Sequence, residues 1–201
     1  VLQIQDVYTS GEKELSKIRG VSFEVHAGEI VGIAGVDGNG QSELIEAIAG
    51  LRKVEKGKIL LDGKDITNMT PKQCRLAGLT HIPEDRNVRG LNRQMTVEDN
   101  LIAWKFEDKP FANGIVRNKK AVREYADRLI KEYDICPADP TVITQSLSGG
   151  NAQKIVVARE VDADGKLLIA SQPSRGVDIG AIESIRRILN QEKKKGKGIL
   201  L

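Results

Sequence analysis

The run Gly35-Val36-Asp37-Gly38-Asn39-Gly40-Gln41-Ser42 has the residue types and spacing of a phosphate-binding loop, G-x-x-x-x-G-K-[ST], with glutamine where lysine belongs. Glycines in such a loop let main-chain N–H groups turn toward an anion, and the helix that follows adds the positive end of its dipole. The lysine would put a full charge on the β- and γ-phosphates. Gln41 offers a neutral amide instead, and a charge-assisted hydrogen bond is worth ~1.5–3 kcal/mol, so the exchange weakens nucleotide binding by roughly tenfold or more. Ser42 supplies a hydroxyl that can reach a magnesium ion.

A second run, Leu147-Ser148-Gly149-Gly150-Asn151, precedes Ala152-Gln153-Lys154. Ser148 is a good helix N-cap, and two glycines let a phosphate approach the backbone. Taken alone it reads as a capped loop. Its place after the first loop and shortly before the apolar run Leu167–Ala170 points to a phosphate partner.

These loops need elements to hold them. Glu29–Ala34 reads as a buried strand and Ser42–Ala49 as a helix, the context a phosphate loop requires. Val1–Gln5 and Val21–Val25 alternate like strands, and Gly57–Leu61 and Asp62–Ile66 bracket the hairpin signal Asp62-Gly63. Thr70-Pro71 starts a short helix, and Leu79–Pro83 reads as a strand. Thr96–Asp99 opens another helix, Asn118–Asp134 has helical periodicity, and residues 93–147 together look like a mostly helical insertion. A helix from about Gly150 to Val161, a buried strand Lys166–Ala170, a helix Ala181–Glu192 and a final strand follow. Strands alternating with helices predict an α/β fold with a parallel sheet and right-handed crossovers.

Bulk properties narrow the field. The chain has 201 residues, 40% hydrophobic and 29% charged, enough for one large domain or a domain with an inserted subdomain. Aromatics make up 3%, so aliphatic side chains must fill the core. A net charge of +3 is too small to argue for nucleic acid, and none is expected as a partner. Cys74 and Cys136 have no metal-ligand spacing and read as free thiols in a reducing compartment. No apolar run is long enough to span a bilayer, and no signal peptide is visible. The absence of an initiator Met and the abrupt final strand suggest a piece of a longer polypeptide.

With both loops placed, the chain resembles the ATP-binding-cassette (ABC) ATPases over nearly its whole length. The likeness rests on the Walker A-like GVDGNGQS, the signature LSGGN, the Walker B-like Leu167–Pro173 and the D-loop-like Ser174–Asp178. The phrases HIPEDR, LSGGNAQK and SQPSRGVDIGA resemble the second ATPase half of fused, two-cassette importers for sugars and nucleosides. The resemblance implies a P-loop NTPase fold: a RecA-like parallel sheet with flanking helices, a small antiparallel β subdomain and an inserted helical subdomain. Residues 1–92 would hold the β subdomain and the first part of the nucleotide core, 93–147 the helical subdomain, and 148–201 the signature helix and the rest of the core.

Four side chains usually surround Mg-ATP in that family, and this sequence departs from each. Gln41 replaces the lysine, Ser171 the Walker B aspartate, Gln172 the following glutamate, and Glu84 the Q-loop glutamine. An amide at 172 cannot accept a proton from attacking water as a carboxylate does. Loss of lysine and base together should be severe, because phosphoryl transfer relies on positioning and electrostatics. Glu84 either replaces part of the missing metal-side carboxylate or faces water. By resemblance the intact signature, Ser148, Gly149, Gly150 and Asn151, acts in trans on the γ-phosphate of a partner cassette, with Asp178 at the same interface. A cap role for Ser148 and a turn role for Asp178 are the simpler readings.

The family implies ATP and Mg²⁺ as ligands. It also implies a second cassette in the same polypeptide, transmembrane permease subunits, and a solute-binding protein as an indirect partner. The expected location is the cytoplasmic face of the plasma membrane, as in bacterial importers. A self-sufficient ATPase and a non-transport ABC protein are the alternatives. Tyr8 either stacks on adenine or packs. Trp104 reads as core in preference to a partner-facing surface, and Asp85–Gln94 as a relay loop.

Overall fold

The computed structural model describes residues 1–10, 18–36 and 38–201. They form two compact units: Val1–His81 with Ala163–Gln172 and Ile188–Leu201, and Ile82–Asp162 with Pro173–Arg187.

In the first unit, β1 (Leu2–Thr9) lies between β2 (Ile18–Val25) and β4 (Lys56–Leu61), with β5 (Lys64–Asp65) outermost. All these pairings are antiparallel, and Leu2 sits opposite both Val25 and Leu61. The alternation places Leu2, Ile4 and Val7 in the core, as period-2 patterning requires. The register shifts beyond Ile4, where Asp6 adopts a left-handed φ of 48°. Gly57 lies against that kink, and a Cβ there would come within 2.3 Å of the Asp6 carbonyl oxygen. The Asp62-Gly63 turn has positive φ at both residues, the hairpin geometry its sequence predicts.

A second sheet carries β3 (Ile30–Val31), β6 (Leu79–Ile82), β9 (Leu167–Ala170) and β10 (Gly198–Leu200) in the order β3-β10-β9-β6. Strand β10 runs parallel to β3 and β9. The four side chains of β9 are fully buried, matching its unbroken apolar run. Helix α1 (Gln41–Ile48) buries Leu44, Ala47 and Ile48. Helix α2 (Pro71–Leu76) opens with a complete capping box between Thr70 and Gln73. The buried strand expected over Glu29–Ala34 is corrected: only Ile30–Val31 is strand, half-buried. Among the described strands it pairs with β10, and Ile33 N–H adds a rung to the Leu201 carbonyl before the chain turns into the loop.

The second unit begins with a π-helical turn, Arg86–Gly90. Then come α3 (Val97–Leu101), a hairpin of β7 (Ala112–Asn113) and β8 (Val116–Arg117), and α4 (Lys119–Glu132). A 3-10 turn (Thr144–Ser146), α5 (Gly149–Asp162) and the start of α6 (Ile179–Lys194) complete it. Helix α4 buries Val122, Ala126, Leu129 and Ile130, one helical stripe. Helix α5 is buried nearly all round, so it is the central helix of this unit. The β7–β8 hairpin was not expected within 93–147.

Trp104 is also corrected. It is 50% exposed, and its Nε1 donates to Glu160 Oε1 at 3.0 Å. The chain leaves helical geometry at Ile102, so Leu101 and Ile102 take the core positions and Trp104 is carried outward.

Candidate nucleotide and signature sites

The phosphate loop leaves the carboxyl end of β3 as irregular, largely exposed chain and ends at α1. Gly38 and Gly40 have φ of 84° and 99°, which only glycine adopts cheaply. Gly40 accepts the Leu44 N–H at 2.9 Å, and Asn39 N–H donates to the Val36 carbonyl at 3.3 Å. Asp37 lies outside the described residues. The Gln41 side chain folds back on the loop: its Nε2 donates to the Val36 carbonyl at 3.2 Å. A Cβ on Gly35 would lie 1.9 Å from that nitrogen, so Gly35 provides the space Gln41 fills.

Ser171 and Gln172 follow β9 directly. Because β3 and β9 both run parallel to β10, these residues and the phosphate loop leave the same edge of the sheet, where ligands of such folds bind. Ser171 Oγ is buried without a hydrogen-bond partner, and Gln172 takes a left-handed φ of 43°. Among the described residues no group of three His, Cys, Asp or Glu converges as a metal site. Among the described residues, the groups at this edge are main-chain amides, the hydroxyls of Ser42 and Ser171 and the neutral side-chain amides of Gln41 and Gln172. That set suits a polyphosphate held by backbone, and it is poor in the carboxylates that a magnesium ion favours. Tyr8, on β1, carries Lys56 Nζ over its ring at 4.7 Å, so one face is already covered.

In the second unit, Ser148 caps α5: its hydroxyl accepts from the Asn151 N–H at 3.4 Å and from Asn151 Nδ2 at 3.1 Å. Asn151 Oδ1 in turn accepts the Cys136 N–H at 2.9 Å. Asp178 caps α6 by accepting the Ala181 N–H at 2.9 Å. The glycines of the signature are where chains meet. A Cβ on Gly149 would lie 2.8 Å from Arg86 Nη2 and 2.9 Å from the Gly176 carbonyl oxygen; one on Gly150 would lie 2.6 Å from Asp178 Oδ2. The structure thus brings Ser148, Gly149, Gly150, Asn151 and Asp178 together. Glu84 is in this unit too, ion-paired with Arg175.

Sequence reasoning singled out neither Arg86, Arg159 nor Arg175. Arg86 donates to the carbonyls of Arg175 at 2.8 Å and Gly176 at 3.1 Å. Arg159 is buried, paired with Glu160 at 2.9 Å, and donates to the Gly90 carbonyl at 2.9 Å. Asn100 Nδ2 and Thr144 Oγ1 both donate to the Asn92 carbonyl, at 2.9 and 3.1 Å. These bonds pin the Asp85–Gln94 loop. Beside it, a polar cavity of about 190 Å³ is lined by Arg86, Asn87, Arg93, Thr144 and Gly149, among others. At the end of α5, Asp162 takes hydrogen bonds from Tyr125, Arg128 and Lys105. Burial pushes its carboxyl up, but those donors outweigh it and hold it below the ordinary range.

The architecture is that of nucleotide-binding cassettes. All of this chain superposes on 79% of a nucleotide-free ATP-binding cassette from an ABC transporter, with a TM-score of 0.81 and 26% identity. The ADP conformation of MJ1267, another ABC transporter cassette, gives 0.79 at 25% identity over 79% of that chain. A family profile described as ABC transporter matches residues 18–175. The chain belongs to the ABC transporter family, as an ATP-binding domain of the P-loop NTPase fold. Among curated proteins it is 44% identical, over its full length, to the guanosine import ATP-binding protein NupO of Bacillus subtilis. It is 43% identical to the nucleoside import ATP-binding protein NupA of Lactococcus lactis, and 40% to the glucose import ATP-binding protein TsgD13 of Haloferax volcanii. The chain spans 39%, 40% and 37% of those relatives, respectively. Among the described residues no helix is long and apolar enough to cross a membrane.

Proposed function

We propose that this chain is the second, hydrolytically weak cassette of a two-cassette importer for a nucleoside or sugar. It sits at the cytoplasmic face of the plasma membrane against permease subunits, with a solute-binding protein as an indirect partner. The observation that carries this reading is an asymmetry within one chain. Its own phosphate loop has a neutral Gln41, followed across the sheet edge by neutral Ser171 and Gln172, whereas its signature is complete and well built. Main-chain amides of the 35–42 loop would hold ATP, Ser42 is the hydroxyl that would reach Mg²⁺, and Tyr8 is the ring that would meet the adenine. Hydrolysis at this site is slow, because no carboxylate stands at Gln172 to take the proton of attacking water. The Ser148 hydroxyl and the amides at the start of α5 complete the partner cassette's site from across the dimer. ATP drives closure because it contacts both cassettes only when they are closed. The 44% and 43% identities to guanosine and nucleoside import proteins favour a nucleoside over a sugar as the solute.

The test uses the intact importer. Ser148→Arg should abolish most ATP hydrolysis by the assembly, and Gln172→Ala should leave it nearly unchanged. Full hydrolysis in Ser148→Arg, or collapse in Gln172→Ala, would show that turnover belongs to this chain's own site.

A further inference from the structure

We infer that Glu84 and Arg86 form a two-way latch on Arg175–Gly176, which fixes the Asp178 segment and the signature start as one body. The inference rests on the trans role proposed above for the signature. It assigns Glu84 a positioning role in place of a metal-binding one.

The geometry interlocks in both directions. Glu84 is the acid of an ion pair with the Arg175 side chain. Two residues on, Arg86 reaches back with its guanidinium fork to the carbonyls of Arg175 at 2.8 Å and Gly176 at 3.1 Å. One short segment therefore holds the other by a side chain and by its backbone. A glutamine at 84 would remove the charge from the first contact, and a lysine at 86 would replace the planar fork that serves two carbonyls at once. The acid at 84 and the guanidinium at 86 thus each have a local use.

The latch extends to the signature through glycine. The Arg86 guanidinium and the Gly176 carbonyl occupy the space a Gly149 side chain would take, at 2.8 and 2.9 Å. The Asp178 carboxylate likewise stands 2.6 Å from where a Gly150 Cβ would be. Asp178 also caps α6, so its backbone cannot drift without unwinding that helix's first turn. Displacing residues 84–86 therefore displaces Gly176 and, through it, the start of α5. Arg86 adds a positive charge beside that helix N-terminus, the sign an incoming phosphate requires.

The experiment has two readouts on the intact importer. Hydrogen exchange of residues 174–178 reports the latch itself: Glu84→Gln and Arg86→Gln should each speed exchange there by about two- to fivefold, the range for a partly exposed pair, and leave α4 unchanged. Steady-state hydrolysis reports its use: both variants should lower kcat by about three- to tenfold with little change in KM, and the exchange Glu84→Arg with Arg175→Glu should recover most of the loss. Unchanged exchange at 174–178 overturns the latch, whatever hydrolysis shows. Faster exchange with full kcat, in an importer that Ser148→Arg inactivates, overturns its positioning role. If Ser148→Arg also retains hydrolysis, the trans reading fails, and the exchange data alone uphold or overturn the latch. A shift in Mg²⁺ dependence confined to Glu84→Gln would return Glu84 to the metal.

Discussion

Restoring the charge at position 41 tests the phosphate loop most directly. In Gln41→Lys the neutral donor that now bonds the Val36 carbonyl at 3.2 Å becomes an ammonium. A neutral hydrogen bond contributes ~0.5–1.5 kcal/mol and one to a charged group ~1.5–3, so the gain on a bound triphosphate is about 1–1.5 kcal/mol. That corresponds to roughly five- to twelvefold tighter ATP binding. The free protein should respond in the opposite sense. Residue 41 opens α1, where a cation opposes the helix dipole by ~0.3–1 kcal/mol, so the nucleotide-free Tm should fall by about 1–3 °C. Titration with a fluorescent ATP analogue, paired with thermal melts with and without nucleotide, reads both effects. Unchanged or weaker binding in Gln41→Lys would refute the claim that residues 35–42 wrap a phosphate. A raised nucleotide-free Tm would refute the placement of residue 41 at the helix start.

Other expectations follow from packing and charge. Gly57→Ala combines a φ of 97° with a 2.3 Å approach to the Asp6 carbonyl, and should cost about 2–4 kcal/mol, read as a lower urea midpoint. Arg159→Met would remove a buried guanidinium that pairs with Glu160 and bonds the Gly90 and Asn100 carbonyls, at a cost of about 3–5 kcal/mol read in urea melts. The Asp162 carboxyl is held below its usual 3.8, so its contribution is complete above that pH and is lost as pH falls through the lowered folded value. Asp162→Asn should therefore flatten the acid limb of the stability curve in urea melts between about pH 2 and 5. Of the two thiols, exposed Cys136 should react quickly with a thiol reagent. Cys74, buried and with its pKa pushed up by that burial, should react only as the protein opens.

The local signals in the sequence located much of the fold. Thr70-Pro71, Asp62-Gly63, the apolar run at 167–170 and the stripe on α4 each correspond to the element they suggest, because capping, turn chemistry and hydrophobic period act within a few residues. Glu29–Ala34 misled because an apolar run does not mark where strand geometry gives way to the loop that leaves it. Trp104 misled because apolar character predicts burial only where the backbone points inward. In the signature region, Ser148 and the glycines were visible by type. The arginine that holds them was not: Arg86 finds its acceptors 89 and 90 residues away, a separation that leaves no periodic trace.

The serine that opens α5 has a further chemical consequence. A hydroxyl offers two lone pairs and one proton. Asn151 takes both lone pairs, one through its amide N–H and one through its side-chain nitrogen. Only the proton is left to face outward, so Ser148 can greet an electron-rich oxygen but has nothing to offer an ammonium or an amide. Polarity at this spot is thus set partly by a neighbour's side-chain amide, and replacing Asn151 would free one lone pair while its backbone N–H still takes the other.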